Sequence, residues 1–151
     1  MEKLFETARY FTGKTDCTLI GSLCLYMLAP ELLGRLPNDV DLFADNNEDN
    51  IRKIISLMEE RGFEVFSWQD RINKNVPMSL LRGRYYIRGI CDGLTVDVTY
   101  EEGKLDYNEM KKYGIIKDGI RLYNRTGLVH ILSLSDREEH ICQRNALIAL
   151  L

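Results

Sequence analysis

The stretch RGRYYIRGIC-DG-LTVDVTY, residues 82–100, restricts the fold more than any other part of the chain. Two runs rich in β-branched and aromatic residues meet at Asp-Gly, the signature of a two-residue type I′ hairpin turn. With Asp92 and Gly93 as the loop, the register follows by counting outward: Cys91 faces Leu94, Ile90 faces Thr95, Arg88 faces Asp97 and Tyr86 faces Thr99. Strand side chains alternate, so Tyr85, Ile87, Val96, Val98 and Tyr100 form a face that packs on helices. Arg84, Tyr86, Arg88, Thr95, Asp97 and Thr99 form the polar face. A second Asp-Gly, in YGIIK-DG-IRLYN, predicts another hairpin of the same kind.

The remaining elements alternate in type. Leu4, Phe5, Ala8 and Phe11 recur at helical spacing over residues 2–12, with Gly13 as the stop. The run CTLI (17–20) reads as a strand, Gly21-Ser22 as a turn, and LCLYMLA as a mostly buried helix ending near Pro30. A strand over 39–44 follows. DNNEDN then caps a helix whose Ile51, Ile54, Ile55 and Met58 share one face, and Gly62 closes it. FEVFSW (63–68) is the next strand, so 39–68 predicts a βαβ unit with parallel pairing, given the length of the crossover. RTGLVHILSLS and SDREEHICQRNALIALL predict two C-terminal helices, the second opened by a capping box of Ser135 and Glu138. The expected class is α/β or α+β, a mixed sheet flanked by helices.

A chain of 151 residues, 45% hydrophobic, suffices for one domain with a real core. The expectation is a single unit over 1–151, with a sheet core over 1–124 and a helical pair over 125–151. A formal charge of −3 gives no global attraction to nucleic acid, so a polyanion must be held by a local basic patch or through metal ions. Cys17, Cys24, Cys91 and Cys142 show no CxxC spacing and read as reduced thiols. No secretory leader or spanning segment is read, which makes the cytoplasm the expected compartment and excludes a membrane role.

RLPNDVDLF (35–43) places Asp39 and Asp41 two residues apart in a strand-like run. Both emerge on one face, roughly 6 to 7 Å apart, and their repulsion must be offset. Three pieces belong together: Gly21-Ser22 at a helix N-terminus, Asp39 with Asp41, and Asp97 on a later strand. A helix N-terminus offers unsatisfied N–H groups to a phosphate, glycine permits close approach, and Ser22 adds a donor. Clustered carboxylates are hard ligands for Mg²⁺, which neutralises a nucleoside triphosphate. Asp97 could complete the coordination or take the acceptor's proton, although Arg88 opposite favours its ionised form and suits a ligand better than a base.

LIGSLCLYML, RLPNDVDLF and LTVDVTY together resemble the DNA polymerase β-like nucleotidyltransferase superfamily. Its pattern is hydrophobic-Gly-Gly/Ser, then acidic-hydrophobic-acidic-hydrophobic, then a later strand carboxylate. The arrangement looks most like small lincosamide-type antibiotic nucleotidyltransferases and abortive-infection toxin nucleotidyltransferases, the latter through GRLPNDVDLF. The resemblance implies a minimal fold with C-terminal helices, Mg²⁺, and an NTP co-substrate with ATP expected. It implies Asp39, Asp41 and Asp97 at the metal, and Gly21 and Ser22 at the phosphates, with Arg35 and Arg88 as further cofactor-binding candidates. Related enzymes often space acidic residues along the last helix, a pattern that DREEHICQRNAL does not reproduce.

The expected reaction moves an NMP group to a hydroxyl and releases pyrophosphate; the acceptor could be a small molecule such as an antibiotic, a tRNA or a protein. Antibiotic resistance and toxin–antitoxin function are the roles the resemblance brings with it. The small size leaves little room for an acceptor domain, so the acceptor pocket could be shared with a second copy, as a homodimer, or be built from the last two helices. One alternative is a catalytically silent interaction module of the same fold; another is metal-dependent phosphodiester hydrolysis. Residue by residue, plainer readings compete. Ser22 could be only an N-cap, Asp97 only a partner of Arg88, and Arg35 only an exposed loop residue. Arg82, Arg84 and Arg88 form a basic stripe that could meet triphosphate or acceptor, or equally be the wet face of an edge hairpin. His130 reads as a core or boundary residue; His140 with Arg137 and Arg144 could line an acceptor pocket, with a solvated face preferred; Trp68 and Tyr100 end strands where they could stack on a base, with core packing preferred.

Overall fold

The computed structural model of the chain describes residues 1–101 and 104–151. Its strands are β1 (Cys17–Ile20), β2 (Val40–Ala44), β3 (Glu64–Ser67), β4 (Asp70–Ile72), β5 (Tyr86–Cys91), β6 (Leu94–Thr99), β7 (Gly114–Lys117) and β8 (Ile120–Tyr123). They form one mixed sheet in the order β4-β3-β5-β6-β2-β1-β8-β7. The helices are α1 (Glu2–Lys14), α2 (Gly21–Leu28), α3 (Glu48–Glu60), the short α4 (Met78–Leu81) and α5 (Tyr107–Met110), and the C-terminal α6 (Arg125–Leu132) and α7 (Glu138–Ala149). None is long and apolar enough to cross a membrane.

Both Asp-Gly turns are present. Asp92 and Gly93 sit at φ +48° and +81°, Asp118 and Gly119 at +53° and +77°, as a type I′ turn requires. The register between β5 and β6 is the one counted from the sequence, Arg88 against Asp97 and Tyr86 against Thr99. In α3, Asn47 caps the helix by accepting the N–H of Asn50, and Ile51, Ile54, Ile55 and Met58 are buried.

The pairing of β2 departs from expectation. β2 is parallel to β6 and antiparallel to β1, while β3 lies beyond β5 and is not its neighbour. The βαβ unit is therefore split. The β5–β6 hairpin inserts where β3 was expected, because its longer, alternating strands bury Ile87, Val96 and Val98 completely against the helices. Three smaller corrections follow. Helix α1 runs through Gly13 to Lys14. Ser135 is not the cap of α7; that position is Arg137, which has no side-chain cap bond. The hairpin from β3 to β4 turns on Trp68 and Gln69, a pair carrying no turn signal, with Trp68 at φ +54°.

The two sheet faces differ. Leu19, Val40, Leu42, Val96, Val98 and Leu122 join α1, α2 and α3 in the main core. On the opposite face Phe43, Tyr107, Met110 and Tyr123 make a small cluster beneath α5. That cluster covers only part of the face. The uncovered part carries the aspartates.

Candidate active site

Asp41 and Asp97 are direct partners on the parallel strands β2 and β6, so their side chains leave the sheet side by side. Asp39 stands one residue before β2 and on the same side. The three each bring a carboxylate oxygen to within 4.8 Å of the others. All the donors are hard oxygens. A hexacoordinate ion with bonds of 2.0–2.1 Å spans roughly 4.2 Å between opposite ligands, so the cluster fits Mg²⁺ with little movement.

The row continues across the sheet from Asp41 through Asp97 to Arg88. Arg88 donates Nε to Asp97 Oδ1 at 2.8 Å and a guanidinium nitrogen to Oδ2 at 3.3 Å. Tyr86 donates its hydroxyl to the same Oδ1. Asp97 is thus held from two sides, and the bond to it raises the Arg88 pKa further.

Among the described residues no side chain forms an ion pair with Asp39 or Asp41, which feel Arg88, and for Asp39 also Arg35, only at longer range. Burial, followed by the charge of Asp97, raises the Asp39 pKa. Asp41 is pushed up to about 7 by burial, then by the charges of Asp39 and Asp97. Repulsion among gathered carboxylates is therefore real in the fold, and a bound cation would reverse it.

Gly21 packs directly against Asp41. It lies at φ +73°, and a Cβ there would come within 2.7 Å of the Asp41 Cβ and 2.8 Å of its Cγ. Only glycine lets α2 start so close to the carboxylate. Ser22 is inside the first turn of α2, whose N-terminus has no side-chain cap. It is therefore not an N-cap, and no side chain caps that turn, whose N–H groups suit an anion.

Gly21, Ser22, Arg35, Asp39, Asp41, Arg88 and Asp97 all line one cavity of about 630 Å³. The far wall comes from the C-terminal helices, through Ile131, Ser135, Arg137, Glu139, His140 and Gln143. Arg35 is exposed and lies 4.0 Å from Glu139, at the rim where the two walls meet. His140 holds Ser135 Oγ at 2.7 Å and has a pKa lowered by burial and by Arg137. It lines the cavity, so of the two readings of His140 the pocket one holds and the preferred solvated face does not. The helical spacing of 137, 140 and 144 was the only signal, and it does not say which way α7 turns.

Several residues lie elsewhere than expected. His130 is exposed and tilted against Tyr113 at 5.0 Å between centroids, not in the core. Trp68 is exposed, whereas Tyr100 is buried as expected. All four cysteines are free thiols; Cys17 and Cys24 are buried and Cys142 is exposed.

Glu101 was overlooked. It lines the cavity, and its buried Oε2 has no hydrogen-bond partner among the described residues. A period-two count from Asp97 through Thr99 reaches Glu101, so the sequence held the signal.

No family model and no curated protein matches the chain. Among solved structures, JHP933 of Helicobacter pylori is 14% identical with a TM-score of 0.47, over 91% of this chain and 56% of its own. A protein of the same organism, provisionally named a nucleotidyltransferase, is also 14% identical with a TM-score of 0.47, over 87% of this chain and 55% of its own. The chain spans about half the length of these two proteins. The Megavirus polyadenylate synthase aligns with a TM-score of 0.51 at 14% identity, over 96% of this chain and 29% of the viral one. At that identity the likeness concerns architecture alone: the chain has a nucleotidyltransferase-type fold.

Proposed function

We propose that the chain is a Mg²⁺-dependent nucleotidyltransferase that moves a nucleoside monophosphate from an NTP to a hydroxyl. The convergence of Asp39, Asp41 and Asp97 beside the Gly21 turn, inside one cavity, carries the proposal. Bound divalent cations would draw the triphosphate and acceptor oxygens together and offset charge at the leaving pyrophosphate. Asp39, Asp41 and Asp97 hold those cations. The Gly21-Ser22 turn and the first N–H groups of α2 seat the phosphates, and Arg35 stands at the rim to meet them.

In the transfer the acceptor oxygen bonds to the α-phosphorus, the bond from that phosphorus to the β-bridging oxygen breaks, and pyrophosphate leaves with the electron pair. The acceptor's proton needs a base. Asp97 already accepts from Arg88 and Tyr86, so its role is ligand. Glu101 lines the same cavity, its buried Oε2 has no hydrogen-bond partner among the described residues, and we assign the proton to it. The sheet core and the C-terminal helical pair work as one unit, since α7 and β2 line that cavity together.

Thermal denaturation with ATP, with and without Mg²⁺, tests the binding half. The midpoint rises with ATP and Mg²⁺ together, and far less with either alone. At a ligand concentration 100 times Kd the gain is about 2.7 kcal/mol. No shift with any of the four NTPs supports the silent interaction module instead. Glu101→Gln leaves that shift intact and lowers kcat by roughly 10²- to 10⁴-fold, read as pyrophosphate release. Retained turnover in this variant removes Glu101 from the chemistry without touching the metal site.

A further inference from the structure

The cavity that holds the carboxylates also holds hydroxyls belonging to the chain itself. Among the described residues its lining offers those of Ser22, Thr99 and Ser135. Ser22 lies in the first turn of α2, where the phosphates are seated, and Thr99 donates its hydroxyl to the Leu42 carbonyl at 3.5 Å. Ser135 is different. It stands on the far wall, half-buried in the loop between α6 and α7, and a histidine is bonded to it.

That bond has a direction. Ser135 Oγ accepts the backbone N–H of Arg137 at 3.2 Å, and His140 Nδ1 lies 2.7 Å from the same oxygen. With one lone pair taken by the Arg137 N–H, the hydroxyl hydrogen points to Nδ1, which leaves the imidazole proton on Nε2. Burial, followed by the charge of Arg137, lowers the His140 pKa, so the ring is mostly neutral at pH 7 and Nδ1 can take a proton. The turn that leads into α7 needs only the bond to Arg137. A serine hydroxyl that also donates to a neutral histidine is an activated nucleophile.

The cavity decides what this nucleophile meets. Its volume is about 630 Å³, and Asp39, Asp41 and Asp97 line it together with Ser135 and His140. A triphosphate held at the carboxylates presents its α-phosphorus to a hydroxyl already attached to the wall. No acceptor has to be captured from solution, and no translational freedom is lost in bringing it there.

We propose that Ser135 is an internal acceptor: the protein transfers a nucleoside monophosphate to its own Ser135, with His140 as the base. Ser135 Oγ bonds to the α-phosphorus, the bond from that phosphorus to the β-bridging oxygen breaks, and pyrophosphate leaves with the electron pair. The serine proton passes to His140 Nδ1. The product is a phosphodiester of Ser135, one nucleotide per chain, and it stands on the wall an outside acceptor would use. Modification therefore limits turnover. The inference rests on the nucleotidyl-transfer reading and adds Ser135 and His140 to it.

The experiment incubates the full chain with Mg²⁺ and each of the four NTPs, labelled at the α-phosphate, with no acceptor added. The label becomes covalent, the intact mass rises by a single nucleotidyl group, and peptide mapping places that group on Ser135. The rate constant of labelling is unchanged when the protein is diluted, as transfer within one chain requires. Ser135→Ala loses the label and keeps the thermal shift given by ATP with Mg²⁺, and Ser135→Thr recovers part of the label. His140→Asn keeps a hydrogen-bond acceptor for the serine but no base; it labels roughly 10²- to 10⁴-fold more slowly with the thermal shift unchanged. A thermal shift without covalent label, label on another residue, or label undiminished in Ser135→Ala overturns this inference and leaves the transfer reading standing. Absence of the shift with every NTP overturns both.

Discussion

Asp41→Asn lowers nucleotidyl transfer by at least about 10³-fold in kcat/KM and, in the same protein, raises the stability of the metal-free state at alkaline pH. The first effect follows from losing one hard anionic ligand at the centre of the cluster; three decades correspond to roughly 4 kcal/mol of transition-state stabilisation. The second follows from the carboxyl itself. Asp41 has an ordinary pKa of 3.8 and one of about 7 in the fold, raised by burial and by Asp39 and Asp97. The folded state therefore binds the proton more tightly than the unfolded chain. The contribution of Asp41 to stability is greatest below pH 3.8, falls as the pH rises through the window between the two values, and levels off above about 7. Taken at face value the shift is worth roughly 4 kcal/mol, and residual solvent contact lowers it to roughly 2. The amide cannot ionise. The variant's midpoint at pH 8 exceeds that of the unsubstituted protein by about 4 to 8 °C in EDTA, and the gap closes towards pH 4. Adding Mg²⁺ at pH 8 raises the midpoint of the unsubstituted protein and leaves the variant's unchanged. Equal midpoints at pH 8, or turnover within tenfold, refute the assignment of Asp41.

The split between catalytic power and stability explains which parts of this fold could be read from the sequence. Features set by local chemistry were legible. Asp-Gly dictated both hairpins, and the first of them fixed the β5–β6 register down to Arg88 facing Asp97. Asn47 capped α3 as its sequence required. The order of strands was not legible, because β2 and β3 are joined by a helix and only competition among whole strands decides that β6 lies beside β2. That competition makes Asp41 and Asp97 neighbours, so the central contact of the site was expected from the pattern of motifs and not from any pairing rule.

Side-chain direction failed in both senses at the periphery. His140 turns into the cavity and His130 away from the core, since spacing along a helix gives a face but not its rotation about the axis. Trp68 was read as a core residue because exposure of so large an apolar ring at a strained turn is unfavourable on local grounds.

Gly21→Ala is expected to damage activity far more than its size suggests. The added methyl meets two separate obstacles. At φ +73° an alanine carries a left-handed strain of about 1 to 2 kcal/mol, and its Cβ falls 2.8 Å from Asp41 Cγ. The backbone of α2 and the strand β2 are both fixed by the core, through Leu23 and Cys24 on one and Val40 and Leu42 on the other. Rotation of the Asp41 side chain moves its Cγ but not its Cβ, 2.7 Å from the new methyl, so the backbone of α2 or β2 must also give by some tenths of an ångström, and Asp41 shifts away from Asp39 and Asp97. Displacement of a reacting assembly by about 1 Å costs on the order of 10²-fold, so kcat falls at least that far while the far-ultraviolet circular dichroism stays unchanged. A double-mutant cycle separates the two obstacles. If the clash with the carboxylate dominates, Gly21→Ala costs less stability in an Asp41→Gly background than alone, by 1 kcal/mol or more. If the two costs simply add, the glycine is required by the turn and not by the aspartate it faces.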